Sequence, residues 1–345
     1  MPPLTRATGP TVEAETRLAL AGLRARAQEL SRVADATARV LAAPDGLSVA
    51  TPAFREFAHA AVPRWHFAML NDHERNDALA TALERIVPQG GTVLDIGAGT
   101  GLLAMMAVRA GAAHVYSCEA NPLMAEVARQ VVAQEGFAEQ ITVLACRSDE
   151  LAVGRELPRR MDAVISEIVD CGLIGEGILP SIRHARRELL VADGVMLPRR
   201  ARLLGMLVQS ENAVNLNRVT RAGGFDVSRL NAFATAGHFP IRLHTWPHRV
   251  LSDQVELASF DFAEDPLGPD GRKLALPVHS SGTVHALVAW FEMELGGGVT
   301  LRNSPENVGS HWMQALLPLP EPVEAEAGST LVLDLAWSDT LLSLS

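Results

Sequence analysis

Apolar residues recur at helical spacing over residues 11–43, where Ala, Leu and Val are interleaved with Arg and Glu. That period predicts one or two helices. "APDGLSVATP" (43–52) interrupts them with Pro and Gly, and a second helical stretch is expected over roughly 53–88, ending at "PQGG". The pattern then changes. "TVLDI" (92–96) has the apolar run of a buried strand, followed by a glycine-rich turn and the helix-forming "LLAMMAVRAGA". "HVYSCEA", "ITVLAC" and "MDAVISE" (161–167) repeat the strand pattern, with helical "PLMAEVARQVVAQEG" and "SIRHARRELLVADG" around them. Strands alternating with helices at this spacing predict a parallel, doubly wound α/β sheet. From about residue 199 strand-like runs dominate, with turns such as "LGPDG" and "LGGG", so a β-barrel-like or sandwich domain should follow. Residues 212–247 break that rhythm and read as a projecting arm. The expected organisation is a helical extension over 1–50, an α/β domain over 51–198 and a β domain over 199–345.

Composition narrows the functions this frame can carry. With 345 residues, 48% of them hydrophobic and 20% charged, the chain has ample material for two globular cores. A net charge of −10 argues against a nucleic-acid partner and favours a cationic one. The N-terminus carries charges throughout, unlike a signal peptide, and no stretch is apolar enough to span a membrane, so a cytoplasmic protein with no membrane partner is expected. Cys118, Cys146 and Cys171 show no CxxC spacing and suit a reducing compartment. Among 30 basic residues only Lys273 is lysine, a bias of high-GC bacterial coding.

Two stretches carry candidate chemistry. In "VLDIGAGTG", Gly97, Gly99 and Gly101 fall between a strand and a helix, where they permit a tight turn and close approach of a ligand to the backbone. The spacing is GxGxG, not the GxGxxG of dinucleotide enzymes. Glu119 ends the next strand, placed to accept both hydroxyls of a ribose, and Asp95 precedes the turn, where it can orient the loop. This arrangement suits S-adenosylmethionine better than NAD, with a purely structural turn as the other alternative. The second stretch, "SEIVDCGLIGEG" (166–177), places Glu167, Asp170 and Glu176 in an apolar run without a single basic residue. Such acids need a cation or solvent. Read alone, the loop fits solvated acids at least as well as a binding site.

With these motifs in view, the chain resembles the protein arginine methyltransferases. The resemblance runs from about residue 64 to the C-terminus and is strongest over 92–200. "VLDIGAGTGLLAMMAVRAGA" resembles that family's cofactor motif and "SEIVDCGLIGEG" its double-glutamate loop. "GSHWMQ" (309–314) resembles its threonine–histidine–tryptophan loop, with Ser310 in place of threonine, and "MLNDHER" (69–75) the helix that closes over the cofactor. Asp170 and the "LIGEG" wording look most like the type III, monomethylating branch. The family's fold would make 51–198 a Rossmann-like class I methyltransferase domain, 199–345 a β-barrel-like substrate domain, and the arm a homodimer contact.

The resemblance implies S-adenosylmethionine-dependent methylation of arginine. A guanidinium is always charged and a poor nucleophile. Two carboxylates can grip its planar fork and aim one nitrogen at the sulfonium methyl. Glu167 and Glu176 would be those acids, with Asp170 crowding out a methylated guanidinium. Asp72 and His311 would form the family's Asp–His pair; Trp312 and Met69 would pack about the substrate. Arg75 would pair with the cofactor's carboxylate, and Ser148 and Asp149 would lie at the adenine edge. Each of these positions has a plainer reading as a core, helix-surface or loop residue.

High-GC bacterial coding favours small-molecule biosynthesis, so free L-arginine, giving Nω-methyl-L-arginine for a specialised metabolite, is the expected substrate. An arginine-containing polypeptide is the alternative, and a catalytically silent cofactor-binding scaffold the rival class. The N-terminal helices could roof the pocket against polypeptides, and a basic or amide group should meet the substrate's own carboxylate.

Departures from the family concern the N-terminus. The only tyrosine is Tyr116, in a strand, and "FREFAHAAVPRWHF" offers Phe57, Trp65, His66 and Phe67, interrupted by Pro63, where the family has paired tyrosine-bearing aromatics. Two other clusters are weaker. His238, His244 and His248 hint at a metal, yet Pro247 keeps "HTWPH" off a single helical face, so no metal site is expected. His279, Ser280 and Ser281 lack a nucleophile-elbow context.

Overall fold

The computed structural model describes residues 12–41, 55, 58–59 and 61–344. They fall into a helical unit up to Arg64 and a second unit from Trp65 onward. Expectations for the first 11 residues, for 42–54 and for Phe57 lie outside the described residues. In the first unit, α1 (Val12–Leu41) is one continuous helix, rich in Ala, Leu, Arg and Glu and free of proline. None of the helices among the described residues is long and apolar enough to cross a membrane.

The second unit opens with two short helices where the sequence suggested one stretch. α2 (Trp65–Leu70) stops, and α3 (His73–Ile86) starts afresh. The break is Asp72, whose extended backbone and side-chain bond from the Arg75 amide make it the N-cap of α3. The order then is β1 (Thr92–Ile96), α4 (Leu102–Arg109), β2 (His114–Cys118), α5 (Pro122–Gln134), β3 (Ile141–Leu144), β4 (Met161–Ser166), α6 (Ile178–His184) and β5 (Leu190–Leu197). These strands form one sheet in the order β3-β2-β1-β4-β5, all neighbours parallel. The winding direction reverses between β1 and β4. That switch point opens a crevice at the strands' carboxyl ends.

One boundary differs from the sequence reading. Residues 190–194, expected to continue a helix, belong to β5, which pairs with β4 from Met161↔Leu190 to Ile165↔Leu197. Helix α6 ends in a wide turn over Ala185–Leu189. The sheet needs an apolar partner for β4, and Leu190, Met196 and Leu197 are buried there. Tertiary burial outweighs the local helical pattern.

From residue 200 the sheets are antiparallel. β6 (Arg200–Gln209) and the strand Gly282–Gly296 form the centre of a seven-stranded sheet, with the strand Gln314–Ala325 on the far side of Gly282–Gly296. Side chains alternate between two cores. Leu203, Leu207, Phe291 and Met293 join the large cluster that also holds Leu94 and Val164 of the parallel sheet. Leu204, Val208, Trp290 and Leu316 fill a smaller cluster on the other face. The shared core ties the β sheet to the α/β sheet.

Candidate active site

The loops leaving β1, β2 and β4 converge on the switch point. After β1, Gly97, Gly99 and Gly101 all take positive φ, of 89°, 53° and 82°. A side chain at Gly97 would run into Ile168, and one at Gly101 would approach Val132 to 2.9 Å. At Gly99 the space is open, so its backbone is approachable. Glu119, just beyond β2, accepts from the amides of Gly99 and Asn121, each at 2.9 Å, one on either oxygen. Each carboxylate oxygen keeps a lone pair for a further donor. The open glycine face and the pinned acid fit an adenosyl group bearing a ribose diol.

Asp95, in β1 just before the turn, is fully buried. Its Oδ2 accepts from the Ser117 hydroxyl at 2.6 Å, while Oδ1 has no partner. The turn's own amides go elsewhere: Gly97 and Ala98 both donate to the Cys118 carbonyl at 3.0 Å. Burial, only partly offset by Ser117 and reinforced by Glu119, pushes Asp95 up to about 7.

The second cluster joins α3 to the loop before the strand Gln314–Ala325. Asp72 accepts the Arg75 amide at 3.0 Å through Oδ1; through Oδ2 it accepts both the amide (2.9 Å) and Nδ1 (2.8 Å) of His311. Burial opposes the charge on Asp72, but the bonds from His311 and Arg75 outweigh it and hold the acid below its usual range. Burial keeps His311 less basic than usual in spite of Asp72. The pair is therefore carboxylate plus neutral imidazole, with Nδ1–H donated to Asp72 and Nε2 left as the acceptor. Trp312, tilted against the His311 ring and edge-on to Phe291, donates Nε1 to the Val169 carbonyl at 3.0 Å. Met69 lies half-buried on α2, and its carbonyl accepts the Asp72 amide.

The double-glutamate loop follows β4. Glu167 is buried against Arg75: Nε reaches its Oε2 at 2.7 Å and a terminal nitrogen shares that oxygen. Arg75 also donates to Asn76 Oδ1 at 2.8 Å. Burial raises Glu167, with Arg75 working against the rise. Glu176 is open to solvent but crowded by protein, and that crowding, then the fields of Glu167, Asp170 and Glu119, push it up to about 7. Solvent access limits the size of such a shift, whereas three acidic neighbours fix its direction.

Asp170 is pinned within the loop. Its Oδ1 accepts the amides of Gly172 (3.1 Å) and Gly175 (2.8 Å), and its Oδ2 meets His238 Nε2 at 2.7 Å. These bonds tie it to the loop's own backbone and to the β domain. Ser148 and Asp149 sit in a turn beyond β3. Ser148 bonds to Ser181 at 3.3 Å, and exposed Asp149 pairs with Arg147, apart from the acids above. Sequence reasoning missed Asn303, fully buried, whose Nδ2 bonds the carbonyls of Cys171 (3.0 Å) and Met313 (2.7 Å). An asparagine in a turn gives no sequence signal for a contact 132 residues away.

Comparison with known proteins points one way. Residues 200–340 match the family model described as arginine methyltransferase oligomerization subdomain, and residues 72–189 that of ribosomal protein L11 methyltransferase. The chain is 54% identical over 330 residues to an arginine N(omega)-methyltransferase of Streptomyces achromogenes subsp. streptozoticus, covering 95% of this chain and 91% of that protein. It is 32% identical over 307 residues to protein arginine N-methyltransferase 7 of Drosophila ananassae, covering 76% of this chain but only 44% of that longer protein. Among solved structures, a chain of the Trypanosoma brucei PRMT1 enzyme–prozyme heterotetrameric complex with AdoHcy is similar at TM-score 0.69 and 25% identity, covering 80% of this chain and 88% of that one.

Proposed function

The chain belongs to the arginine methyltransferase family and is an S-adenosylmethionine-dependent arginine N-methyltransferase; we propose that its substrate is free L-arginine and its product Nω-methyl-L-arginine. The observation that carries the methyl-acceptor site is the acidic crevice, where Glu167 and Glu176 end one loop at the switch point with Arg75 as their only close guanidinium among the described residues. When bound, S-adenosylmethionine supplies an electrophilic methyl group on a cationic sulfur. The turn at Gly97, Gly99 and Gly101 would hold its adenosyl part, with Glu119 on the ribose hydroxyls and Asp95 beneath the turn. Ser148 and Asp149 would meet the adenine edge. Arg75 would reach its carboxylate with the N–H groups not spent on Glu167 and Asn76.

The chain's own residues do the rest. Glu167 and Glu176 would take the two sides of the substrate guanidinium in charge-assisted bonds and turn one nitrogen toward the cofactor. Trp312 and Met69 would wall the acceptor. Asp72 holds the His311 ring so that Nε2 can take up the proton the methylated nitrogen releases. Asp170 shapes the loop that allows one methyl and no second.

Two features favour a free amino acid. The Streptomyces relative, similar over nearly its full length, is by its name an arginine N(omega)-methyltransferase, whereas this chain spans less than half of the animal protein methyltransferase. Arg242 gives the β domain a cation beside His311: its guanidinium contacts the Ser310 carbonyl at 3.3–3.4 Å and has no carboxylate in ion-pair range among the described residues. It is our candidate partner for the substrate's carboxylate. Exposed Phe225, Leu230 and Phe233 on the arm, together with the matched oligomerization subdomain, support a homodimer. A cytoplasmic enzyme of specialised-metabolite biosynthesis completes the reading.

The test offers labelled cofactor with free L-arginine in one tube and an arginine–glycine-rich peptide in another. Transfer to free arginine is expected. Transfer to the peptide alone would move the substrate to polypeptides and leave the reaction intact.

The acids also set a pH dependence. A guanidinium needs Glu176 ionised, and Glu176 starts near 7 in the free site. Below that point arginine must displace a proton, so kcat/KM should fall by about tenfold per pH unit as pH drops. Above it the profile should level. A bound sulfonium moves the break to lower pH and keeps its sign. Glu176→Gln should abolish the break; an identical profile in that variant would reassign it to another group.

A further inference from the structure

Three residues of the β domain reach back into the double-glutamate loop. Trp312 holds the Val169 carbonyl and Asn303 holds the Cys171 carbonyl, both main-chain contacts. His238 alone binds a side chain there, Asp170, at 2.7 Å. We infer that His238 and Asp170 form a clamp that sets the spacing of Glu167 and Glu176, with His238 as a positioning residue for methyl transfer.

The tautomer is fixed from the other side of the ring. The Leu342 amide donates to His238 Nδ1 at 3.2 Å, so the ring proton sits on Nε2 and is donated to Asp170. The His238 amide in turn donates to the Leu342 carbonyl at 3.1 Å, which pins the residue to the strand Leu342–Leu344. Asp170 collects three N–H groups: Gly172, Gly175 and His238. It therefore closes the turn that lies between the two glutamates.

Glycine makes the fit possible. A side chain at Gly172 would come within 2.7 Å of the His238 ring, and one at Gly175 would strike the Asp170 carboxylate. The loop is thus cut to admit this ring and this acid. Asp170, Cys171 and His238 also bring ligand-type atoms within 4.8 Å of one another. Both imidazole nitrogens are already engaged and burial pushes the Cys171 thiol well up, so the cluster is a hydrogen-bonded clamp and not a metal cage.

The clamp touches neither reacting group, so its loss should show in turnover before it shows in cofactor binding. His238→Phe fills the space without a donor, and His238→Gln restores an N–H where Nε2 lay. Turnover of arginine, KM and the calorimetric Kd for S-adenosylhomocysteine would be measured for both, for Asp170→Asn and for the Phe/Asn double variant. Expected is a fall in kcat of about ten- to a hundredfold for His238→Phe, because small misplacements of reacting groups cost that much. Kd should stay within about twofold, His238→Gln should recover most of the loss, and the double variant should be little worse than either single one. Wild-type kcat in His238→Phe, equal loss in His238→Gln, or additive losses would overturn the clamp. Should His238→Phe not fold, an Asp170→Asn variant with wild-type kcat overturns it equally. The inference rests on the methyl-transfer reading. A wild-type chain that transfers nothing to arginine would count against that reading, whereas the variants decide the clamp.

Discussion

Glu167→Gln should lower kcat by about a thousandfold or more while leaving the cofactor bound, because the lost charge acts where positive charge is held and redirected. The amide keeps the shape of the acid and one acceptor oxygen. It cannot draw charge from a guanidinium as a carboxylate does, and its NH₂ would face the substrate's own donors. The structure adds a consequence beyond the grip itself. Glu167 is the buried partner of Arg75, and both side chains are 3% exposed. Removing that charge leaves Arg75 seeking an anion, and the carboxylate of the cofactor is the one within the account. Affinity for S-adenosylhomocysteine should therefore hold or improve. The ligand-free variant should melt at lower temperature, since breaking a buried pair costs about 3–5 kcal/mol. Cofactor should restore part of that loss by mass action. Calorimetry, thermal melts and turnover on one preparation separate these effects; near-normal turnover would end the role given to Glu167.

Much of this site was legible along the chain, and the reasons it was legible are physical. The Gly97, Gly99 and Gly101 turn announces itself because only glycine takes those positive φ values without strain. The acids of "SEIVDCGLIGEG" stand out because buried carboxylates without basic neighbours need explanation. Parallel strands were visible as apolar runs, and the antiparallel region as their shorter, turn-punctuated counterparts. The break at Asp72 was not read along the chain: aspartate is a good N-cap, but helix-forming residues flank it on both sides.

What the sequence withheld was long-range. The pairing of Leu190–Leu197 with β4 depends on a neighbour that lies across a sheet, so local helical period misled. His238 looked like one member of a histidine cluster with His244 and His248; its actual partner is Asp170, 68 residues away. Asp170 was expected at the substrate because of the resemblance to the monomethylating branch. Only the fold reveals that its oxygens are taken by Gly172, Gly175 and His238. The upward shift of Glu176 depends first on crowding by the fold, then on Glu167 and Asp170 of its own loop and on Glu119 beyond β2.

The central claim is that this acidic crevice recognises the cationic head of arginine, and one comparison tests it most directly. L-Citrulline has nearly the shape of L-arginine, with a neutral ureido oxygen where arginine carries a terminal NH₂. Its amino-acid end is identical, so any contact with Arg242 or other groups at the mouth is unchanged. At the other end a donor becomes an acceptor and the positive charge disappears. An acidic clamp built from Glu167 and Glu176 must then face lone pairs instead of N–H groups, and sites built for such donors reject analogues lacking them by orders of magnitude. Calorimetric titration of each amino acid into the protein saturated with S-adenosylhomocysteine, about one pH unit above the Glu176 value of about 7, gives the answer. The account predicts saturable binding of L-arginine and binding of L-citrulline at least about a hundredfold weaker; equal affinity for the two would contradict it.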